Sequence, residues 1–283
     1  MFNNLGRLES RDIKDNEIKI SKIFSSIDAG NTDLAKTNII KLLDTPNYFL
    51  REFVGKRLLE YPDSEVMDQL ILSFVGHKFY GVRAAVLFYY YEKYKNDPKS
   101  IIKILNMSWS DTPWETEQIL TEMWKKHHKL MKNEMHKWAD SNSEKQKALA
   151  YHGIEAITKV DPLYVISLIE KNLDFPHPEV QKKIINALVG VIKAKPAECY
   201  SFIREWLTNP TESRTSSIQI AMRKLISISI QNNSNKSNKV DELYLLTMQV
   251  INDWKSDPEK SISELGTKLV AFSKKPQLSD SEI

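Results

Sequence analysis

One cysteine, Cys199, is all that the chain offers for sulfur cross-linking, which excludes a disulfide within the molecule and fits a reducing compartment. Glycine is also scarce, at 8 of 283 residues, and the patterns GxGxxG, GxxxxGK[ST] and GxSxG are all missing. Phosphate-loop, dinucleotide-binding and nucleophile-elbow chemistry are therefore disfavoured. No stretch reaches the roughly 18 uncharged apolar residues that a membrane span requires, and the opening MFNNLGRLESRDIKDNE holds no apolar run of signal-peptide length. A soluble, cytoplasmic protein is expected. A net charge of +3 is too small to announce a nucleic-acid partner by itself, so any such argument rests on where the charges sit. His127, His128 and His136 cluster, but adjacent helical residues point about 100° apart. With no HExxH and no cysteine partner for Cys199, no structural or catalytic zinc site is expected.

Helical periodicity is what the chain has in abundance. In HPEVQKKIINALVGVIKAKP, from His177 to Pro196, the residues Val180, Ile184, Ile185, Leu188, Val191 and Ile192 form one apolar stripe, and lysines fill much of the remaining surface. Pro178 suits a first turn and Pro196 marks an end. Similar beginnings recur at Leu50, Val82, Trp114, Gln146, Val180 and Ile218, spaced by 32, 32, 32, 34 and 38 residues. Such a period, with only helical patterning inside it, predicts an all-α fold: an α-solenoid of antiparallel helix pairs, HEAT- or armadillo-like, curved with a concave face.

The pattern predicts helices near 16–28, 32–43, 47–60, 64–77, 81–95, 98–107, 113–129, 131–140 and 144–159. Further helices are predicted near 162–173, 178–194, 197–208, 212–230, 240–255 and 258–273. Asp63 and Ser64 supply cap chemistry, and Asp-Pro pairs at 97–98, 161–162 and 257–258 punctuate the series. QNNSNKSN is polar and free of apolar anchors. Hence a repeat domain is expected over 1–230, a flexible connection over 231–238, and a C-terminal helical cap and tail over 239–283.

Equivalent positions of successive second helices line up on one surface of a solenoid. The residue after each of the first four repeat starts is Arg51, Arg83, Glu115 and Lys147, with Lys182 one place later in the fifth. Cations with one carboxylate among them suit a polyanion-binding groove. In HEAT-type repeats a basic residue there also serves hydrogen bonding within the repeat, and both uses stay open. The run Lys125, Lys126, Lys129, Lys132, Lys137, Lys145 and Lys147 adds positive charge. Trp109 and Trp114 stand in the polar, proline-broken SWSDTPWETEQ beside Asp111 and Glu115. They are read either as π-faces for a cationic ligand or as packing between repeats. Trp124, Trp138, Trp206 and Trp254, at helical spacing among apolar residues, are expected in the core.

Several pieces occur in the order of a known family. They are Val82-Arg83-Ala84-Ala85, Glu92-Lys93-Tyr94-Lys95, Ser108-Trp109, Lys137-Trp138, Gln146-Lys147-Ala148 and Val180-Gln181-Lys182 leading to Lys195-Pro196. Over about 80–208 the chain resembles the HEAT-like repeat DNA glycosylases, the bacterial AlkD-type DNA alkylation repair family. The resemblance implies duplex DNA on a concave basic surface and hydrolysis of the N-glycosidic bond of N3- or N7-alkylated purines. A carboxylate would stabilise the sugar oxocarbenium, with no metal or organic cofactor. It makes Glu115 or Asp111 the catalytic carboxylate, Trp109, Trp114 and Asn186 the base-contacting residues, and Arg51, Arg83, Lys147, Lys182 and Lys183 the contacts to the DNA backbone. Lys147 stands where the family has an arginine and Asn186 where it has an aromatic, so the resemblance carries DNA binding further than excision. A non-catalytic solenoid scaffold that grips a protein partner is the competing expectation. Scaffolding predicts an aromatic and apolar groove of mixed charge, and DNA binding predicts cations converging from several repeats.

Overall fold

The computed structural model describes residues 8–62, 64–108, 113–235 and 242–274. Every regular element among them is helical, and their contacts divide the chain into two units at His127 and His128. The first unit contains α1 (Ser10–Asp28), α2 (Thr32–Leu43), α3 (Tyr48–Leu58), α4 (Glu65–Leu72), α5 (Tyr80–Lys93), α6 (Pro98–Ser108) and α7 (Pro113–Lys126). The second contains α8 (His128–Asp140), α9 (Glu144–Ile154) with a 3-10 turn at Glu155–Ile157, α10 (Pro162–Asn172), α11 (Pro178–Ala194), α12 (Pro196–Thr208), α13 (Glu212–Asn235), α14 (Glu242–Lys255) and α15 (Lys260–Ser273).

Caps and prolines start these helices where the sequence places them. Asn31, Asn47, Ser64, Ser143 and Asp161 each accept a hydrogen bond from a backbone N–H three residues on. Pro162, Pro178 and Pro196 occupy first turns, where a missing N–H costs nothing. Four boundaries differ from expectation by five residues or more, the first being that α1 starts at Ser10 and not near 16. α4 stops at Leu72, α9 tightens into the 3-10 turn, and α13 continues through 231–235 to Asn235. The rest of the expected connection lies outside the described residues.

Alternate helices stack in each unit: α3 on α5 and α5 on α7 in the first, α9 on α11, α11 on α13 and α13 on α15 in the second. The other helices pair with them, as α10 and α12 do with α11. This is the packing of an α-solenoid, in which each repeat buries its apolar stripe against its neighbours. The predicted stripe of α11 is core: Val180, Ile184, Leu188, Val191 and Ile192 are fully buried, each stabilising by about 1.5–3 kcal/mol. Trp124, Trp138, Trp206 and Trp254 are buried too. Backbones approach closely where α3 meets α5, since a Cβ on Gly55 would lie 2.4 Å from the Ala85 carbonyl oxygen. No helix among the described residues is long and apolar enough to cross a membrane.

Candidate functional site

The register position that promised a charged ladder has one structural use in four helices, α3, α5, α9 and α13. Arg51, on the first turn of α3, donates through Nη1 to the Thr45 carbonyl at 3.3 Å, just after α2. Arg83 on α5 donates to the Lys78 carbonyl at 3.0 Å and to that of His77, in the segment after α4. Lys147 on α9 donates to the Ala139 carbonyl at 2.7 Å, in the last turn of α8, and to Asn172 Oδ1 at 2.8 Å. Arg214 on α13 donates to the Trp206 and Asn209 carbonyls at 3.1 and 2.9 Å, at the end of α12. Lys147 and Arg214 thus close the carbonyl end of the helix before them, where orphan acceptors and the helix dipole favour a cation, whereas Arg51 and Arg83 tie down carbonyls of the loop that leads into their own helix.

Of the two uses left open by the sequence, the geometry takes hydrogen bonding within the repeat. Arg51 and Lys147, expected among the contacts to a phosphate backbone, are buried. Burial lowers the Lys147 ammonium pKa, with Asp140 acting against the shift and Lys171 with it. Arg214 was not anticipated, because a start at Ile218 sets the register too late. Asn209-Pro210-Thr211-Glu212 is a readable helix start that would have placed it. On α11 the corresponding residue is Gln181, whose amide donates to Ser213 Oγ, and Lys182 beside it is exposed.

Glu115, on the first turn of α7, is the odd member because a carboxylate cannot donate to carbonyls. It is fully buried and accepts from Arg51 Nη2 at 2.9 Å and Tyr80 Oη at 2.5 Å. Arg51 also lies over the Tyr48 and Tyr80 rings, 5.7 and 5.1 Å from their centroids. Burial raises both phenol pKa values, and so does Glu115: by charge at Tyr48 and by its hydrogen bond at Tyr80. This network ties α3, α5 and α7 together. Glu115 is thus a sealed, paired carboxylate, whereas a group that stabilises a glycosyl oxocarbenium must face the sugar.

Trp114 is 70% exposed, so it is not packed between repeats. Trp109 and Asp111 lie outside the described residues. Asn186 accepts from Lys224 Nζ at 2.8 Å, and Lys183 Nζ lies 3.1 Å from His152 Nδ1, so these side chains share the face formed by α9, α11 and α13. Much of the lysine run is paired: Lys125 with Glu122 at 2.9 Å, Lys132 with Asp161 at 2.5 Å and Lys137 with Glu134 at 2.6 Å. Lys126 lies over the Tyr91 ring. Among the described residues no three histidine, cysteine or acidic side chains converge as a metal set, and His136 packs edge-on against Tyr164.

No protein-family model and no curated protein sequence matches the chain. Solved structures similar to it include an engineered protein, 12% identical over 84% of this chain and 96% of that one, with a TM-score of 0.25. A designed armadillo repeat protein is 13% identical over 83% of this chain and 98% of its own, also with a TM-score of 0.25.

Proposed function

We propose that the chain is a non-catalytic α-solenoid scaffold that binds a protein partner. The observation that carries this reading is the inward use of the ladder, with Arg51, Arg83, Lys147 and Arg214 all spent on carbonyls of their own repeats. Glu115, one of the two carboxylates that excision could use, is held by Arg51 and Tyr80. A catalytic carboxylate for an oxocarbenium must face the sugar, and freeing Glu115 would leave a buried guanidinium without its countercharge.

Duplex DNA binding is the second reading, favoured by Lys182, Lys183 and Lys224 on α11 and α13. The glycosylase activity that the family resemblance implies belongs to this second reading, with Asp111 as its remaining carboxylate. A duplex titration at two salt concentrations separates the two readings. The scaffold reading expects no measurable binding, or binding unchanged by Lys182→Glu with Lys183→Glu. Affinity that falls steeply with salt and is lost in that double variant would transfer the function to DNA, because released counterions and those two lysines would then carry the interaction.

A further inference from the structure

α9 carries a buried histidine that stands between two groups of opposite demand. His152 is 4% exposed, and its Nδ1 lies 3.1 Å from Lys183 Nζ on α11 and 3.6 Å from Glu155 Oε1 in the 3-10 turn that follows α9. An ammonium only donates, so the contact with Lys183 requires an unprotonated Nδ1. A carboxylate only accepts, so a bond to Glu155 requires a proton on that same atom. One nitrogen cannot serve both at once.

The structure holds the first arrangement. Glu155 Oε1 is buried and has no hydrogen-bond partner, which is a costly state for a carboxylate oxygen. Its turn is tied in place: Thr158 Oγ1 donates to the Glu155 carbonyl at 3.2 Å, and a Cβ on Gly190 of α11 would lie 3.0 Å from Thr158 Cγ2. Glu155 is thus kept beside a ring to which it is not bonded. On α8, Lys132 pairs with Asp161, Glu134 with Lys137 and Asp140 with Lys171 of α10. On α9 itself, Glu144 pairs with His177 and Lys147 turns to the Ala139 carbonyl, while Lys129, Lys145 and Lys182 are exposed.

We propose that His152 is a proton switch that sets the position of Lys183. With Nδ1 unprotonated, the ammonium is held on α9. When Nδ1 takes up a proton, imidazolium and ammonium repel, the new N–H turns to Glu155 Oε1, and Lys183 is released. It is released on the face where Asn186, one turn further along α11, accepts from Lys224 at 2.8 Å. The exchange satisfies the orphan oxygen and adds a mobile cation to that face. It falls in the range of about pH 5–8, where histidine is the side chain that changes charge. The switch goes beyond the scaffold reading, because it operates whatever that face binds.

Nitrogen-15 and carbon-13 NMR of the full chain reads both ends of the switch. The His152 Nδ1 resonance reports whether the nitrogen holds a lone pair or a proton, and relaxation of Lys183 Cε reports whether the side chain is held. His152→Gln and Lys183→Met assign the two signals by their loss. From pH 8 to pH 5, Nδ1 should gain a proton and Lys183 Cε should become mobile, with one shared midpoint. Lys183→Met removes the opposing cation and should move the His152 midpoint to higher pH, whereas Glu155→Gln removes the attracting charge and should move it lower, each by about half a pH unit or more. In His152→Gln, Lys183 mobility should no longer depend on pH. An unchanged thermal transition at pH 8 shows which variants stay folded, and the opposite signs let either of the two shifts decide alone. A proton on Nδ1 already at pH 8, no titration down to pH 5, Lys183 mobility that does not follow the histidine, or a shift of the wrong sign overturns the proposal.

Discussion

Among the described residues, Glu115 is the one countercharge paired with the buried Arg51 guanidinium, and replacing it by alanine removes that charge. At 2.9 Å and an effective dielectric constant of about 20, the gross attraction is about 6 kcal/mol, most of it offset by desolvation of both ions. The intact pair therefore adds little net stability, but half a pair is expensive. Arg51 Nε already lacks a hydrogen-bond partner, and Tyr80 would lose its acceptor as well. Glu115→Ala should cost about 3–5 kcal/mol. Arg51→Met with Glu115→Met, which removes both charges and keeps volume, should return to within about 1–2 kcal/mol of the parent. Urea unfolding measures the loss, and hydrogen exchange should concentrate it in α3, α5 and α7. A cost below about 1 kcal/mol for the alanine variant, or a double variant as unstable as the single one, would refute a structural role for the pair.

Gly55→Ala should destabilise by about 1–3 kcal/mol in a thermal or urea melt, because the new methyl meets backbone on α5. The Lys132 hydrogen bond holds the Asp161 carboxyl below its ordinary value of 3.8, against burial. Its stabilising effect should be complete above that value and vanish as pH falls through the lower folded one. Asp161→Asn keeps the cap and loses the charge, so its deficit relative to the parent should shrink between pH 6 and strongly acidic conditions. Burial pushes the Cys199 thiol up to about 12, so a thiol reagent at pH 8 should label the protein only when urea unfolds it.

How far the sequence could be read depends on which interaction decides each feature. The α11 stripe, the proline starts and the Asn and Ser caps are local, and a local pattern suffices to place them. The early end of α4 is not local. EVMDQLILSF carries apolar residues throughout, and the chain leaves the helix where Gly76 allows a turn toward α5. The ladder was visible as charge at a fixed register, but its direction was not. A cation that closes the preceding helix and one that faces a phosphate have the same residue type and spacing. Only the 2.7 Å bond from Lys147 to Ala139 and the burial of Arg51 separate them. Glu115 stood out as the exceptional member of that series. Its partner Arg51 lies 64 residues away, and no periodicity joins the two.

The most direct measurement of the central claim is release of 3-methyladenine and 7-methylguanine from methylated duplex DNA by the full chain and by Glu115→Gln. The scaffold reading predicts no release above the DNA-only control from either protein, together with a clear loss of stability in the variant. Release by the parent that falls by about 10² or more in Glu115→Gln while stability holds would contradict it, and would make Glu115 a catalytic carboxylate.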